Sequence, residues 1–270
     1  MKGRVLIVAG SDSGGGAGIQ ADIKAVTAMD AFAATAVTAL TAQNTQGVHG
    51  VVPVDPAFIA QQMEVVLSDI GADALKTGML HSAEVIGTVV RTIKARAPGV
   101  PLVIDPVMVA KGGHRLLLGE AEAALRDTLL PMATLLTPNL PEAEVLVGFP
   151  VKTEADMRRA AEKLAVLGAG AVLMKGGHLD GDRVVDLLFH DGRFDRFEDA
   201  RIASRSTHGT GCTLASATAA GLAQKMGLRD AVARARSYVR RAIESAPGFG
   251  RGHGPLNHAV TVGSLDGFRR

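Results

Sequence analysis

Residues 5–29 read VLIVAGSDSGGGAGIQADIKAVTAM, and three signals in that stretch set the fold class. Residues 5–9 are apolar without polar alternation, the pattern of a strand covered on both faces. Glycines follow at 14, 15, 16 and 18, and residues 17–29 then read as a helix. Strand, glycine loop and helix in that order begin a parallel α/β sheet. The rest of the chain keeps alternating. Strands are predicted at 36–42, 74–76, 102–104, 135–136 and 171–174. Helices are predicted at 56–70, 83–96, 120–129, 142–147, 154–167, 212–226 and 229–245. Between 184 and 197 the pattern alternates around Asp191-Gly192, which predicts a hairpin. The expectation is an α/β, doubly wound, mostly parallel sheet with helices on both faces and a late antiparallel hairpin. No Pro/Ser-rich linker and no repeat interrupts the chain, so residues 1–270 are read as one domain.

Composition narrows the function classes. A formal charge of +2, with basic residues dispersed, gives no footprint for nucleic acid or an anionic membrane. The densest basic cluster, Arg234, Arg236, Arg240 and Arg241, reads as a solvated helix face. A single cysteine, Cys212, excludes an intrachain disulfide framework and a multi-cysteine zinc site. Residues 31–48 carry no formal charge, but Gln43, Asn44 and Gln46 argue against a membrane span. The apolar run at 5–9 is too short for a signal peptide, and a cytoplasmic location is expected.

In doubly wound sheets ligands bind beyond the carboxyl ends of the strands. Those places hold residues 10–18, Gln43-Asn44, Thr77-Gly78-Met79, Asp105-Pro106, Thr137-Pro138-Asn139 and Lys175-Gly176-Gly177. Gly16, Gly18 and Ala21 fit the spacing of a dinucleotide fingerprint. That reading needs an acid after the second strand, and none lies between Asp30 and Asp55. A Walker A loop fails for want of Gly-Lys-Ser/Thr. A second loop, THGTGC at 207–212, precedes a helix of small residues. Gly209, Thr210 and Gly211 would offer free backbone N–H groups at a helix N-terminus, an anion hole suited to phosphoryl transfer. The residues alone equally allow an ordinary capping turn.

Taken together, AGSDSGGGAGIQAD (9–22), TAQNTQGV (41–48), DPVMVAKGG (105–113), LLTPNLPEAE (135–144), LMKGGH (173–178) and THGTGCTLASA (207–217) resemble the hydroxymethylpyrimidine/phosphomethylpyrimidine kinases, of the ribokinase-like superfamily. GHGPLNH at 252–258 also looks familial, so the resemblance runs through nearly the whole chain. It implies ATP-dependent phosphorylation of 4-amino-5-hydroxymethyl-2-methylpyrimidine and then of its monophosphate, with Mg2+, in a homodimer. It places Gln43, Asp22, Met79 and Val107 in the substrate pocket. Lys175, Asn139 and Thr207 fall to ATP, and Glu142 and Asp105 to the metal. Gly209, Thr210, Gly211 and Cys212 form the catalytic loop. Residues 110–117, AKGGHRLL, depart from the family's usual AKSGDPLL in a segment expected to cover the site. Lys111 and Arg115 there are either phosphate contacts or solvated loop cations.

The chemistry agrees with these assignments. A glutamine amide sets an acceptor beside a donor and so matches the amino group and ring nitrogen of a 4-aminopyrimidine. One or two carboxylates suffice for Mg2+ beside phosphates. Many superfamily members carry Asp where this chain has Cys212. A helix N-terminus would lower the thiol's pKa toward a partial thiolate, while a small pocket-shaping side chain is the other reading. The scattered histidines suggest no metal cluster, and His208 is expected to be satisfied by loop backbone. Pyridoxal kinase activity and a non-catalytic ligand sensor are the rival functions.

Overall fold

The computed structural model describes residues 1–109, 116–117 and 119–263. Its strands are β1 (Arg4–Asp12), β2 (Phe32–Asn44), β3 (Gly47–Pro53), β4 (Ala74–Thr77), β5 (Leu102–Ile104), β6 (Leu135–Leu136), β7 (Ala171–Met174), β8 (Arg183–His190) and β9 (Arg193–Ala200). Its α-helices are α1 (Gly18–Ala28), α2 (Pro56–Asp69), α3 (Ala83–Arg96), α4 (Gly119–Ala124), α5 (Leu140–Val147), α6 (Glu154–Val166), α7 (Thr210–Ala223) and α8 (Leu228–Glu244).

Why β1 is central follows from its side chains. Val5, Leu6, Ile7 and Val8 expose nothing, so both faces of the strand must be covered. Because side chains alternate along a strand, Val5, Ile7 and Ala9 enter one core, shared with α1, α7 and α8. Leu6 and Val8 enter the other, shared with helices α2 to α6. Parallel pairing to β2 and β4 on either side completes the placement.

The strands form one sheet in the order β3-β2-β1-β4-β5-β6-β7-β8-β9. Strands β2, β1, β4, β5, β6 and β7 run parallel, and β8 and β9 close one edge as the expected antiparallel hairpin. At the other edge the structure departs from the sequence reading. The predicted strand at 36–42 extends over Phe32–Asn44, and an unforeseen β3 pairs back on it antiparallel. Asn44 Oδ1 accepts from the N–H groups of Gln46 (2.8 Å) and Gly47 (3.3 Å), which closes the tight return. Gly47 and Gly50 had hidden β3, since they break its apolar pattern and neither face is buried. The topology gathers the carboxyl ends of β1, β2 and β4 to β7 on one rim.

Candidate active site

A cavity of about 1090 Å3 opens along that rim. Gln43, Met79, Val107, Asp105, Asn139, Glu142, Lys175, Thr207, Gly209, Thr210, Gly211 and Cys212 all line it. Of the candidate residues, only Asp22 does not.

At the middle of the cavity the first turn of α7 meets a charged cluster. Gly209 caps this helix with φ +82°, and a Cβ there would lie 1.8 Å from the carbonyl oxygen of Gly16. The two glycine loops are therefore interlocked backbone to backbone. The first N–H groups of a helix have no intrahelical acceptor, and the residues that open α7, Thr210, Gly211 and Cys212, line the cavity. A Cβ on Gly211 would stand 3.1 Å from Lys175 Nζ and 3.4 Å from Asp105 Oδ2, so the bare backbone lies directly against this ion pair.

Lys175 Nζ donates to Asp105 Oδ1 at 2.8 Å and lies 3.9 Å from Glu142 Oε2. Burial pulls the Lys175 pKa down, but Asp105 and Glu142 more than offset it, so the ammonium is held charged. Glu142 has two jobs in the structure. Its Oε2 accepts from Asn139 N–H at 2.8 Å while Asn139 Oδ1 accepts from Glu142 N–H at 2.9 Å, a capping box that starts α5. Burial, with the negative Asp105 nearby, raises the Glu142 pKa to about 7 against the pull of Lys175. Two carboxylates, one held against its preference for neutrality, make a place that gains from further positive charge. Among the described residues no group of three or more His, Cys, Asp or Glu side chains gathers as a metal cage. The donor set fits Mg2+ carried in with phosphates, because that ion keeps several waters and takes one or two protein carboxylates.

A second part of the cavity lining is built on Gln43. Its side chain lies between Thr41 Oγ1, at 3.2 Å from Oε1, and His208 Nε2, at 3.2 Å from Nε2. Contrary to the expectation from sequence, the His208 ring meets side chains rather than loop backbone. Its Nε2 lies 2.9 Å from Asp12 Oδ2. Asp12 also accepts from the N–H groups of Gly14 (2.8 Å), Gly16 (3.1 Å) and Ala17 (2.8 Å). Burial pushes the Asp12 pKa up, but His208 and these amides outweigh it and hold the carboxyl below its ordinary value. Met79 and Val107 supply apolar wall beside Gln43.

Three further sequence expectations need correction. Asp22 stands behind the wall with no exposure, where both its oxygens accept from Lys76 Nζ at 2.9 Å and Oδ1 accepts from Ser216 Oγ at 2.7 Å. Lys76, not Asp22, borders the cavity at its back. Burial pulls the Lys76 pKa down and Asp22 more than reverses it, so the ammonium stays charged. A lone lysine in the apolar stretch ADALKTGML (72–80) was the available signal, since a buried ammonium demands a carboxylate. The Cys212 thiol is not shifted toward thiolate. Burial pushes it up to about 12, and the nearby Lys76 offsets only part of that. Lastly, the arginines of α8 are not simply solvated. Arg236 Nε donates to Asp186 Oδ2 at 2.8 Å, Arg234 is half-buried, and only Arg241 of the four is exposed. Ile202, Val239 and Ile243 also line the cavity and add apolar surface to it, with no motif in the sequence to mark them. Lys111 and Arg115 lie outside the described residues.

Comparison with known proteins decides what this arrangement belongs to. The model of the phosphomethylpyrimidine kinase family matches residues 12–257. The chain belongs to that family. It is 53% identical over 261 residues to the thiamine biosynthesis bifunctional protein ThiED of Geobacter sulfurreducens, covering 97% of this chain and 53% of that protein. The chain thus spans about half the length of that relative. It is 46% identical to the hydroxymethylpyrimidine/phosphomethylpyrimidine kinase of Bacillus subtilis, covering 94% of each. Among solved structures, an ADP complex of Bacillus subtilis pyridoxal kinase superimposes with a TM-score of 0.89 at 38% identity, covering 96% of this chain and 98% of that one. Phosphomethylpyrimidine kinase from Clostridium difficile gives 0.80 at 41% identity, covering 90% and 100%. This family member is accordingly a kinase with the ribokinase-like fold. Among the described residues no helix is long and apolar enough to cross a membrane.

Proposed function

We propose that the chain uses ATP and Mg2+ to phosphorylate the hydroxymethyl group of 4-amino-5-hydroxymethyl-2-methylpyrimidine, and then phosphorylates the monophosphate, in thiamine biosynthesis. The observation that carries this reading is the joint placement of Gln43, the 209–212 loop and the Lys175, Asp105 and Glu142 cluster on one cavity, with Gly211 directly against Lys175 and Asp105. The Gln43 amide pairs with the amino group and ring nitrogen. Met79 and Val107 pack the ring. The backbone N–H groups of Gly209, Thr210 and Gly211 take up charge on the moving phosphoryl group, the largest service a protein performs in this chemistry.

Lys175 neutralises phosphate charge, Asn139 and Thr207 border the nucleotide path, and the apolar end around Ile202, Val239 and Ile243 accepts the base. Asp105 and Glu142 hold the magnesium, which when bound draws off phosphate charge. Cys212 acts as pocket wall, because a thiol raised to about 12 is protonated at neutral pH. A loose transition state asks little of a base in any case. Residues 1–270 work as one kinase domain, in the cytoplasm and as a homodimer. Supporting the dimer, Leu40 and Val52 are exposed (53% and 63%) and face each other across β2 and β3.

Mass spectrometry of products from ATP, Mg2+ and the free pyrimidine alcohol tests the reading, with successive gains of one and two phosphoryl groups expected. Pyridoxal is kept as a second substrate because the pyridoxal kinase of Bacillus subtilis superimposes so closely. Identity of 46% to 53% with pyrimidine kinases and a protein of thiamine biosynthesis supports the pyrimidine as the main one.

A further inference from the structure

The contacts around Gln43 carry more information than its presence in the cavity. Asp12, an ionised carboxylate, only accepts hydrogen bonds. Its Oδ2 lies 2.9 Å from His208 Nε2, so that nitrogen carries a hydrogen, since two acceptors would repel at this distance. The same Nε2 lies 3.2 Å from one terminal atom of the Gln43 amide. With its hydrogen in place Nε2 has no lone pair to accept an amide N–H, so the facing atom is the amide oxygen, which shares that one hydrogen with Asp12. At the other end, Thr41 Oγ1 lies 2.8 Å from the carbonyl oxygen of Ser11 and 3.2 Å from the second terminal atom of Gln43. A hydroxyl has one hydrogen. The shorter contact to Ser11 takes it, and Thr41 then needs a donor from Gln43, which is the amide nitrogen. Both ends demand one orientation, reached by a half-turn of the amide that leaves its shape unchanged. The imidazole is itself tightly seated, as a Cβ on Gly16 would come within 2.5 Å of its Cδ2.

We propose that His208, held by Asp12, is the specificity-determining positioning residue of the site: it locks the Gln43 amide with oxygen toward His208 and nitrogen toward Thr41. This rests on the reading that Gln43 binds the pyrimidine. The free edge of the locked amide then presents its acceptor on the His208 side and its donor on the Thr41 side. A 4-aminopyrimidine meets it with the amino group donating on the His208 side and N3 accepting on the Thr41 side. C5 is bonded to C4, so the hydroxymethyl group falls on the His208 side. That is the side on which the chain continues into Gly209, Thr210, Gly211 and Cys212. A reversed amide would turn the ring over and carry the hydroxymethyl group away from that loop. The lock therefore couples recognition of the amino group to delivery of the reacting oxygen.

The test uses two alcohols that differ at one position, the 4-amino pyrimidine and its 4-oxo analogue, whose O4 and N3–H exchange acceptor and donor. For the unaltered protein, kcat/KM for the amino compound is expected to exceed that for the oxo compound by about 100-fold or more, because a site with fixed donors rejects a mismatched partner strongly. In His208→Leu and His208→Met only the Thr41 hydroxyl still faces the amide, and because it can rotate to donate or accept it fixes neither orientation. The ratio is then expected to fall below about tenfold, with the oxo compound gaining in absolute rate. His208→Gln, which places an N–H near the Nε2 position, should restore the ratio. Loss of activity in equal proportion for both compounds, or an unchanged ratio in folded His208→Leu, overturns the lock. Nitrogen-15 NMR of the unaltered protein tests it without any variant: hydrogen on His208 Nε2 is required, and a bare Nε2 overturns it. Gln43→Leu separates this proposal from the one beneath it. If amino-compound kinetics survive Gln43→Leu, pyrimidine binding by Gln43 fails and the lock with it. If they collapse while the His208 variants keep the ratio, only the lock fails.

Discussion

Two glycines two residues apart at the head of α7 are expected to fail in opposite ways when substituted. Gly211 has helical backbone, so Gly211→Ala gains about 1 kcal/mol of helix propensity. Its new Cβ lands 3.1 Å from Lys175 Nζ, a contact relieved by a few tenths of an ångström of movement at the end of a flexible side chain. The fold should therefore survive, with a Tm equal to or slightly above that of the unaltered protein. The cost falls on the site, where a methyl group displaces the Lys175 ammonium and crowds the free N–H groups. Misplacement on this scale is expected to lower kcat by about tenfold to 100-fold. Gly211→Val, with two more carbons over the hole, should lose about 1000-fold, as when an oxyanion donor is removed.

Gly209→Ala is the contrast. At φ +82° an L-residue already costs about 1–2 kcal/mol. The Cβ would also stand 1.8 Å from Gly16 O, where 3.0 Å is the closest that real Cβ atoms come. Neither atom belongs to a flexible side chain, so the interlocked loops must part, and destabilisation above about 4 kcal/mol is expected. Thermal melts by circular dichroism beside steady-state kinetics make the comparison. Gly211→Ala with unaltered kcat/KM, or with a melt as poor as Gly209→Ala, would refute the reasoning.

Other perturbations test separate parts of the site. Asp22→Ala strands a buried ammonium and should destabilise by about 3–5 kcal/mol, whereas the double change Asp22→Leu with Lys76→Met should recover most of it; equal melts for the two would remove the pair from the account. With Glu142 in its proposed metal-binding role, its proton competes with Mg2+, and its pKa is raised to about 7. Mg2+ affinity should therefore rise with pH up to about 7 and weaken about tenfold per unit below it, a dependence that Glu142→Gln abolishes in a titration of activity against Mg2+. Cys212→Ala and Cys212→Ser should both keep at least about a tenth of kcat, since positioning rather than a base carries the step; an inactive but folded Cys212→Ala would make the sulfur essential. Gln43→Leu should raise the pyrimidine KM by about 30- to 150-fold, equivalent to about 2–3 kcal/mol, with ATP binding unchanged.

Much of this protein is legible along the chain because the causes are local. An unbroken apolar run such as Val5 to Ala9 has to be covered on both faces, and Asp191-Gly192 between alternating residues has to turn. Gly209 and Gly211 before a helix of small side chains have to leave backbone bare at its start. These properties belong to a few neighbouring residues, and β1, the late hairpin and the 209–212 loop follow from them. Strand β3 escaped because Gly47 and Gly50 blur its pattern and neither face of it is buried. What only the tertiary structure decided is which distant groups share a dry space. His208 and Asp12 are 196 residues apart, Ser216 and Asp22 are 194 apart, and Lys175 and Asp105 are 70 apart. No spacing rule connects them. Burial then sets their chemistry, turning Cys212 toward a thiol where its helix end suggested a thiolate, and raising Glu142 toward neutrality. A helix end acts over one turn and is written in sequence, whereas desolvation depends on every atom packed around the group, and only the folded chain supplies those atoms.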